Sequence, residues 1–303
     1  METKTLTIFT PTYNRAYILP KLYNSLCIQS CKDFVWIVVD DGSSDNTEEL
    51  FDIWKNENKI EIFYHRQENG GKMRAHNRAV ELSQTELFVC VDSDDLLASP
   101  TSIEENLKFW SLQKSRNFNE QISYREIGGL ISYKDIEGKK FHFPENMYCS
   151  TLHGLYEQGF RGETTLMFRT EVLREFPFPE IEGEKFITEA IVYDQIDIKY
   201  KFLLFPCYTQ KCEYRIDGYT NNLSLYNWNN PKGYRLFYHQ RLRLGIGNRY
   251  KNLVDYIFYS VIVCDGQTIK MSAFPGLTIL FFPLGVLKYI KKKLQFTINR
   301  AFK

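Results

Sequence analysis

The residues best placed to do chemistry are Asp92, Ser93, Asp94 and Asp95, which end the apolar, β-forming run Phe88 to Val91. Two carboxylates one residue apart aim their oxygens at one point, and clustered carboxylates repel unless a cation or ligand lies between them. Oxygen donors alone suit a hard divalent cation. A second acidic pair, Asp40-Asp41, ends the apolar run Phe34 to Val39 and leads into Gly42-Ser43-Ser44-Asp45. Between the two clusters, Asn69-Gly70-Gly71-Lys72 sets exposed amides beside a cation at a helix start, a composition that suits phosphate.

These groups act together only if the elements carrying them lie side by side. Leu6 to Thr10 reads as a strand, Pro11-Thr12-Tyr13-Asn14-Arg15 as a turn, and Ile18, Leu19, Leu22 and Leu26 as the apolar face of a helix. Phe34 to Val39 is a strand covered on both faces; Asp45 with Glu48 predicts a capping-box start for a helix over 46–56. A third strand at Ile60 to Tyr64, a helix through Ala75, Ala79, Val80 and Leu82, and a fourth strand at Leu87 to Val91 complete the alternation over 5–110. Alternating strands and helices demand a parallel sheet with right-handed crossovers, and such sheets bind ligands outside the carboxyl ends of their strands. Thr12-Tyr13-Asn14, Asp40-Asp41 and Asp92-Ser93-Asp94 are therefore expected to converge on one crevice.

Beyond this half, Ile103, Leu107 and Trp110 predict a helix after Ser99-Pro100, and 113–126 reads as a polar surface loop. A strand at Ile127 to Tyr133 with a hairpin partner at Lys139 to Phe143 follows, then a strand near Thr165 to Phe168 and a helix at Thr170 to Glu175. The acidic loop Glu180 to Lys185 feeds a helix over Thr188 to Lys201. Two strands, Phe202 to Tyr208 and Gln210 to Ile216, and a polar loop at Asp217 to Asn222 come next, and the remainder is mostly helical. Ala273 to Leu287 is apolar but broken by Pro275, Gly276, Pro283 and Gly285, and Lys288, Lys291, Lys292 and Lys293 follow it. With roughly 20 residues needed to span a bilayer, it is expected to lie at the interface as a basic-flanked helix, in preference to packing as a hairpin within the fold.

Composition bounds the function. The 303 residues are 44% hydrophobic and 25% charged, ordinary for a globular protein, and the aromatic share of 16% is high. A net charge of +1 argues against a general nucleic-acid binder. The start, Met1-Glu2-Thr3-Lys4, runs into a strand without the regions of a secretory signal, so the expected location is cytoplasmic, peripheral on the inner face of the plasma membrane. The seven cysteines form no metal-knuckle or redox spacing; Cys27 and Cys31 read as buried thiols.

Taken in order, Thr10-Pro11-Thr12-Tyr13-Asn14, Val39-Asp40-Asp41-Gly42-Ser43-Ser44-Asp45, Asn69-Gly70-Gly71-Lys72 and Asp92-Ser93-Asp94-Asp95 resemble the motifs of family 2 glycosyltransferases through the first hundred residues. A lone Asp-x-Asp triplet is weak; four motifs in sequence at strand ends are specific. The resemblance implies an α/β GT-A fold, Rossmann-like, with a mostly parallel central sheet flanked by helices and a helical C-terminal appendage. The expected division is a catalytic domain at 1–222, with a nucleotide half at 1–110 and an acceptor half at 111–222, and a helical region at 223–303 that meets the membrane through 273–293.

It further implies an inverting, metal-dependent hexosyltransferase taking a nucleotide-sugar, a UDP-sugar in particular, to a glycan or lipid-linked acceptor in surface polysaccharide synthesis. Pro11, Thr12 and Tyr13 match the part that packs on base and ribose, Asp41 the acceptor of the uracil N3 hydrogen, Asp92 with Ser93 the ribose and diphosphate end, and Asp94 the ligand of Mn²⁺ or Mg²⁺. Lys72 is placed for phosphate or base. Asp40 holds the loop or touches the donor. The base is expected at Glu189, where the family often writes Glu-Asp and this chain has Thr188-Glu189-Ala190; Glu182-Gly183-Glu184-Lys185-Phe186 upstream resembles an acceptor-side signature, and Asp194 and Glu184 are the substitutes. Phe160, Phe186, Tyr193 and Tyr219 are candidates to stack on sugar. Two rival readings are a nucleotidyltransferase acting on a sugar phosphate, and a catalytically inactive nucleotide-binding module.

Overall fold

The computed structural model describes residues 4–115, 123–212 and 219–301. The chain divides into two compact units, Met1–Phe178 with Gln195–Ile216, and Pro179–Asp194 with Asp217–Lys303. The acidic loop and the start of the helix after it are thus grouped with the C-terminal helices.

The first unit opens with the alternation read from the sequence: β1 (Leu6–Thr12), α1 (Leu19–Cys27), β2 (Phe34–Asp40), α2 (Thr47–Glu57), β3 (Ile62–Arg66), α3 (Lys72–Leu82) and β4 (Leu87–Cys90). After β5 (Leu96–Leu97) and α4 (Ser102–Ser115) come β6 (Ile127–Ile136), β7 (Cys149–Ser150), α5 (Leu152–Glu157), β8 (Thr164–Arg169), α6 (Thr170–Glu175), α7 (Ala190–Lys199) and β9 (Lys201–Cys212). One sheet runs β3-β2-β1-β4-β8-β6-β9-β5, with β7 on β9. It is parallel through β3, β2, β1 and β4, and mixed beyond, where β8 lies antiparallel to both β4 and β6.

Aromatic residues account for much of the core under this sheet. Trp36 of β2 is wholly buried and packs with Tyr23, Phe51 and Trp54 from α1 and α2, ring centroids 5.2–6.2 Å apart. Each such pair adds about 0.5–1.5 kcal/mol beyond the area it buries. The Trp36 indole donates to Thr10 Oγ1 at 3.0 Å and that hydroxyl donates to the Val91 carbonyl at 2.8 Å, so one buried chain of hydrogen bonds ties β2, β1 and the end of β4.

Several elements differ from the sequence reading. Lys139 to Phe143 is no strand, because hydroxyls take its amides: Phe141 N donates to Tyr208 Oη at 2.6 Å and Phe143 N to Tyr133 Oη at 2.7 Å. β9 is a single strand through Cys212, its register against β6 shifting near Tyr133 to absorb the irregularity read as a break. Phe160 is buried among Tyr133, Phe141 and Phe143, a core role that removes it from sugar stacking. Asp45 forms no capping box; it bridges loops, accepting from Ala16 N at 3.0 Å and Thr47 Oγ1 at 2.6 Å. Cys27 and Cys31 are half-buried against the core. Residues 116–122 and 213–218, with the end of the strand expected at Gln210 to Ile216, lie outside the described residues.

In the second unit, α8 (Tyr219–Asn229) takes up residues 219–222, read above as loop; α9 (Pro231–Leu244), α10 (Arg249–Val263) and α11 (Pro275–Ala301) follow. α11 absorbs Pro283 and continues through the lysines, so it is both longer and more closely packed than the sequence indicated. Its inner face meets α10, where Gly285 is needed because a Cβ there would lie 2.3 Å from Ile257 Cγ2. Trp228 stacks on Tyr289, and Lys288 pairs with Asp255. The outer face leaves Ile279, Leu280, Leu284, Leu287, Ile290, Leu294 and Ile298 exposed. No helix among the described residues is long and apolar enough to cross a membrane.

Candidate active site

The register of the parallel strands brings the predicted groups to one edge. Thr12 stands opposite Asp40 across β1 and β2, and Phe9 opposite Cys90 across β1 and β4. Past the paired strands the ladder continues, Asp41 N donating to Thr12 O at 2.8 Å and Val91 N to Phe9 O at 2.8 Å. The segments holding Tyr13, Asp41 and Asp92 therefore leave the sheet side by side at the carboxyl ends of adjacent strands.

Hydrogen bonds between the loops fix that edge. Asn14, at φ +53°, donates its amide to Ser43 Oγ at 2.8 Å and accepts from Ser44 N at 2.8 Å, tying the loop after β1 to the loop after β2. Tyr13 beside it is half exposed rather than part of the core, while Thr12 is buried with a hydroxyl that has no hydrogen-bond partner among the described residues. Asp40 is buried and holds its own loop, accepting from Ser43 N at 2.8 Å and Tyr64 Oη at 2.6 Å.

Asp41 does structural work that its sequence pattern did not announce. Oδ1 accepts from Gly70 N and from Gln67 Nε2, both at 2.8 Å, and Oδ2 from Gly71 N at 2.7 Å. A carboxylate offers about four acceptor positions, so Oδ2 retains one. Gly42 completes the junction at φ +84°, where a Cβ would crowd Asn69 N and Gln67 O at 3.2 Å. The glycine loop is thus docked on the acidic loop by backbone amides, and Lys72 starts α3 directly after it.

The Asp92 to Asp95 cluster divides its carboxylates unequally. Lys72 Nζ reaches both oxygens of Asp92, at 2.8 and 3.0 Å. Burial alone would raise Asp92, but Lys72 and then Lys134 outweigh it and hold this carboxyl below its usual range. Lys134, near the end of β6, pairs with the buried Asp95 at 2.6 Å. Burial opposes the charge on Lys134, yet Asp95 and Asp92 hold the ammonium well above its usual range, so it stays protonated.

Asp94 forms no ion pair and accepts no neighbouring side chain's hydrogen bond among the described residues; burial, and after it the charge of Asp92, push its carboxyl up. That environment fits a cation. No group of three or more His, Cys, Asp or Glu side chains able to hold a metal occurs among the described residues. The fit is to an ion held by one or two carboxylates that completes its shell with substrate phosphates and water, a mode common for Mg²⁺. Ser93 is buried between the two acids, and His76 packs edge-on against Phe9, Phe88 and Phe178. Burial, then Lys72, lower His76 to about 3, so this histidine is a neutral core residue.

The candidates for the base lie in the second unit, and the structure separates them. Asp194 is buried and held by Arg241 through two bonds of 2.6 and 3.0 Å. Glu184 accepts from Lys232 N at 2.7 Å and Gly233 N at 2.8 Å, capping the start of α9. Asn230 Oδ1 accepts from Lys185 N and Phe186 N, so the whole acidic signature is pinned to that helix start. Glu189 precedes the first turn of α7, its carbonyl accepting from Val192 N at 3.0 Å and Tyr193 N at 3.2 Å.

Lys134 and Asn230 were missed by the sequence reading. A lysine inside the apolar strand Ile127–Ile136 was the available signal for the first, and Asn-Pro at a helix start for the second.

Comparison with known proteins agrees with this geometry. Residues 7–120 match the glycosyl transferase family 2 profile. An uncharacterised glycosyltransferase of Methanocaldococcus jannaschii is 25% identical over 241 residues, 74% of this chain and 75% of that one. S. aureus TarS 1–349, solved with UDP-GlcNAc, superposes at a TM-score of 0.59 with 16% identity over 97% of this chain and 92% of that one. A mannosyltransferase from Pyrobaculum calidifontis, solved with GDP-Man and Mn²⁺, does so at 0.52 with 15% identity over 98% and 79%. The fold is GT-A, and residues 7–120 are similar to the glycosyl transferase family 2 profile. It spans about a fifth of the length of the Rickettsia felis glycosyltransferase that it matches at 30% identity over 128 residues.

Proposed function

We propose that this chain transfers a hexose from a nucleotide-sugar, a UDP-sugar in particular, to a glycan or lipid-linked acceptor, inverting the anomeric carbon. One observation carries the reading: among the described residues at the edge where β1, β2 and β4 end, every acid of the two clusters is held by a neighbouring residue except Asp94. Uracil fits Asp41 by donating N3–H to the remaining position on Oδ2, with Pro11, Thr12 and the exposed Tyr13 beside base and ribose. Lys72, with Asp92 and Ser93, faces the diphosphate end. Asp94 would hold Mn²⁺ or Mg²⁺, which when bound would supply Lewis acidity toward the charge on the leaving diphosphate.

Glu189 takes the proton of the acceptor hydroxyl, which attacks opposite the leaving group. Asp194 is committed to Arg241 and Glu184 to the start of α9, whereas Glu189 stands just before the first turn of α7. The apolar outer face of α11 and its lysines support peripheral membrane contact through 273–293, suited to a lipid-carried acceptor and a role in surface polysaccharide synthesis.

Turnover tests the reading. A panel of nucleotide-sugars with Mn²⁺ is expected to yield nucleoside diphosphate with one donor, and Asp94→Ala to suppress it. Pyrophosphate release would instead identify a nucleotidyltransferase, and binding without turnover an inactive module. Glu189→Gln is expected to abolish transfer while donor affinity stays within about twofold; retention of most of the rate removes Glu189 as base.

A further inference from the structure

The whole-chain charge of +1 hides a sharp division. Residues 219–303 hold 13 lysines and arginines against two acids, and the rest of the chain 25 against 35. Both acids of the basic region are taken: Asp255 pairs with Lys288, and Asp265 with Arg235 at 2.7 Å. Most of its cations therefore lack a partner of opposite sign in that region.

Three of them line a cleft of about 430 Å³ where α9 turns into α10. The turn runs through Gly245 and Gly247, at φ +71° and +70°. Arg241 is oriented by its two bonds to Asp194. Arg243 and Arg249 form no ion pair among the described residues, and the Arg249 guanidinium lies over the Phe274 ring, 4.0 Å from its centroid. α10, of 15 residues, begins at Arg249 within the lining, so its positive end adds to the same field. Guanidinium pairs with a helix N-terminus are suited to phosphate oxygens.

The cleft adjoins an apolar surface. Phe274 in its wall leads directly into α11, and Tyr250, next to Arg249, stacks on Phe281 of α11 with centroids 5.5 Å apart. From Leu280 to Ile298 the exposed apolar residues recur at three- and four-residue steps along one side of that helix, roughly 27 Å at 1.5 Å per residue. A phosphate site continuous with an apolar stripe matches an amphiphile better than a free anion.

We propose that this cleft binds the phosphate of an anionic lipid headgroup, Arg243 and Arg249 supplying the contacts and Arg241 the fixed wall, while the outer face of α11 lies at the acyl boundary. The assignment rests on the reading of α11 as a membrane-contacting helix and adds a headgroup site to it. The site gives that contact a preference for anionic lipid.

Two measurements test it on the full chain. In co-sedimentation, phosphatidylcholine vesicles containing phosphatidylglycerol are expected to bind the wild type, and the Arg243→Gln/Arg249→Gln variant to bind them about 10-fold or more weakly. If the wild type ignores these vesicles, the membrane reading falls and the headgroup site with it. If it binds them and the double variant binds equally, only the cleft is wrong. In amide NMR titrations, soluble dihexanoyl-phosphatidylglycerol is expected to shift Gly245 and Gly247 saturably in the wild type and not in the variant. Inorganic phosphate causing the same shifts at equal or lower concentration overturns the lipid assignment in favour of a free-phosphate site. Thermal unfolding of the variant at the wild-type midpoint confirms that its loss is local.

Discussion

The strand-end edge of the first unit and the helices of the second handle charge in opposite ways. At the edge, Asp40, Asp41, Asp92 and Asp95 are each satisfied by a neighbour, whether an amide, a tyrosine or a lysine. Residues 219–303 instead pair both of their acids and leave cations over. A buried charge costs several kcal/mol unless partnered, so an acid left unpartnered among satisfied ones marks where something from outside belongs. By that criterion Asp94 marks the first region; in the second, the exposed Arg243 and Arg249 stand out because they share one cleft.

The contrast between Asp94 and its partnered neighbours yields predictions of decreasing size. Asp94→Ala is expected to cut nucleoside diphosphate release about a thousandfold, while the unfolding midpoint holds or rises because repulsion from Asp92 is relieved. A matching loss of stability would show that Asp94 is partnered after all. Lys134→Met does the reverse, leaving Asp95 buried without a cation; it should cost about 4 kcal/mol in denaturant unfolding, much of which Lys134→Met/Asp95→Leu regains. Equal losses in the single and double variants would deny that the pair acts as a unit.

Asp41→Ala removes the acceptor for the Gly70 and Gly71 amides and is expected to cost about 3 kcal/mol of stability in addition to weakening nucleotide binding. A loss of binding alone would mean that the glycine loop needs no anchor. The smallest effect concerns His76. Its folded pKa lies below the unfolded one, so the unfolded state takes up the proton first and stability falls as pH drops below about 6.5. Between about pH 7 and about pH 5 this group should remove about 2 kcal/mol. His76→Phe should flatten that part of the stability curve, and an unchanged slope would show that the imidazole is not held neutral.

The strands of the first half, their parallel sense and the meeting of their ends were legible because apolar periodicity reports burial, and parallel strands bring their carboxyl ends to one edge; the order of the strands in the sheet was not. What side chains do once brought together was less so. Lys134 pairs with Asp95 across 39 positions, and no local pattern announces a partner at that separation. Asp41 was legible as an acid at a strand end, but its grip on Gly70 and Gly71 depends on the register of a loop. The irregularity in β9 resembled a break because a shifted register disturbs the twofold pattern as a turn would. In α11 the apolar residues and lysines were plain, whereas the division into a packed and an exposed face depended on Gly285 allowing the approach of α10.

Calorimetric titration of UDP into the wild type and Asp94→Ala, each with and without Mn²⁺, addresses the central claim most directly. If Asp94 is the carboxylate awaiting a cation beside the diphosphate, Mn²⁺ should strengthen UDP binding by about 10-fold or more in the wild type and leave the variant unchanged. UDP affinity that ignores Mn²⁺ in the wild type, or gains equally from it in both proteins, would contradict the account.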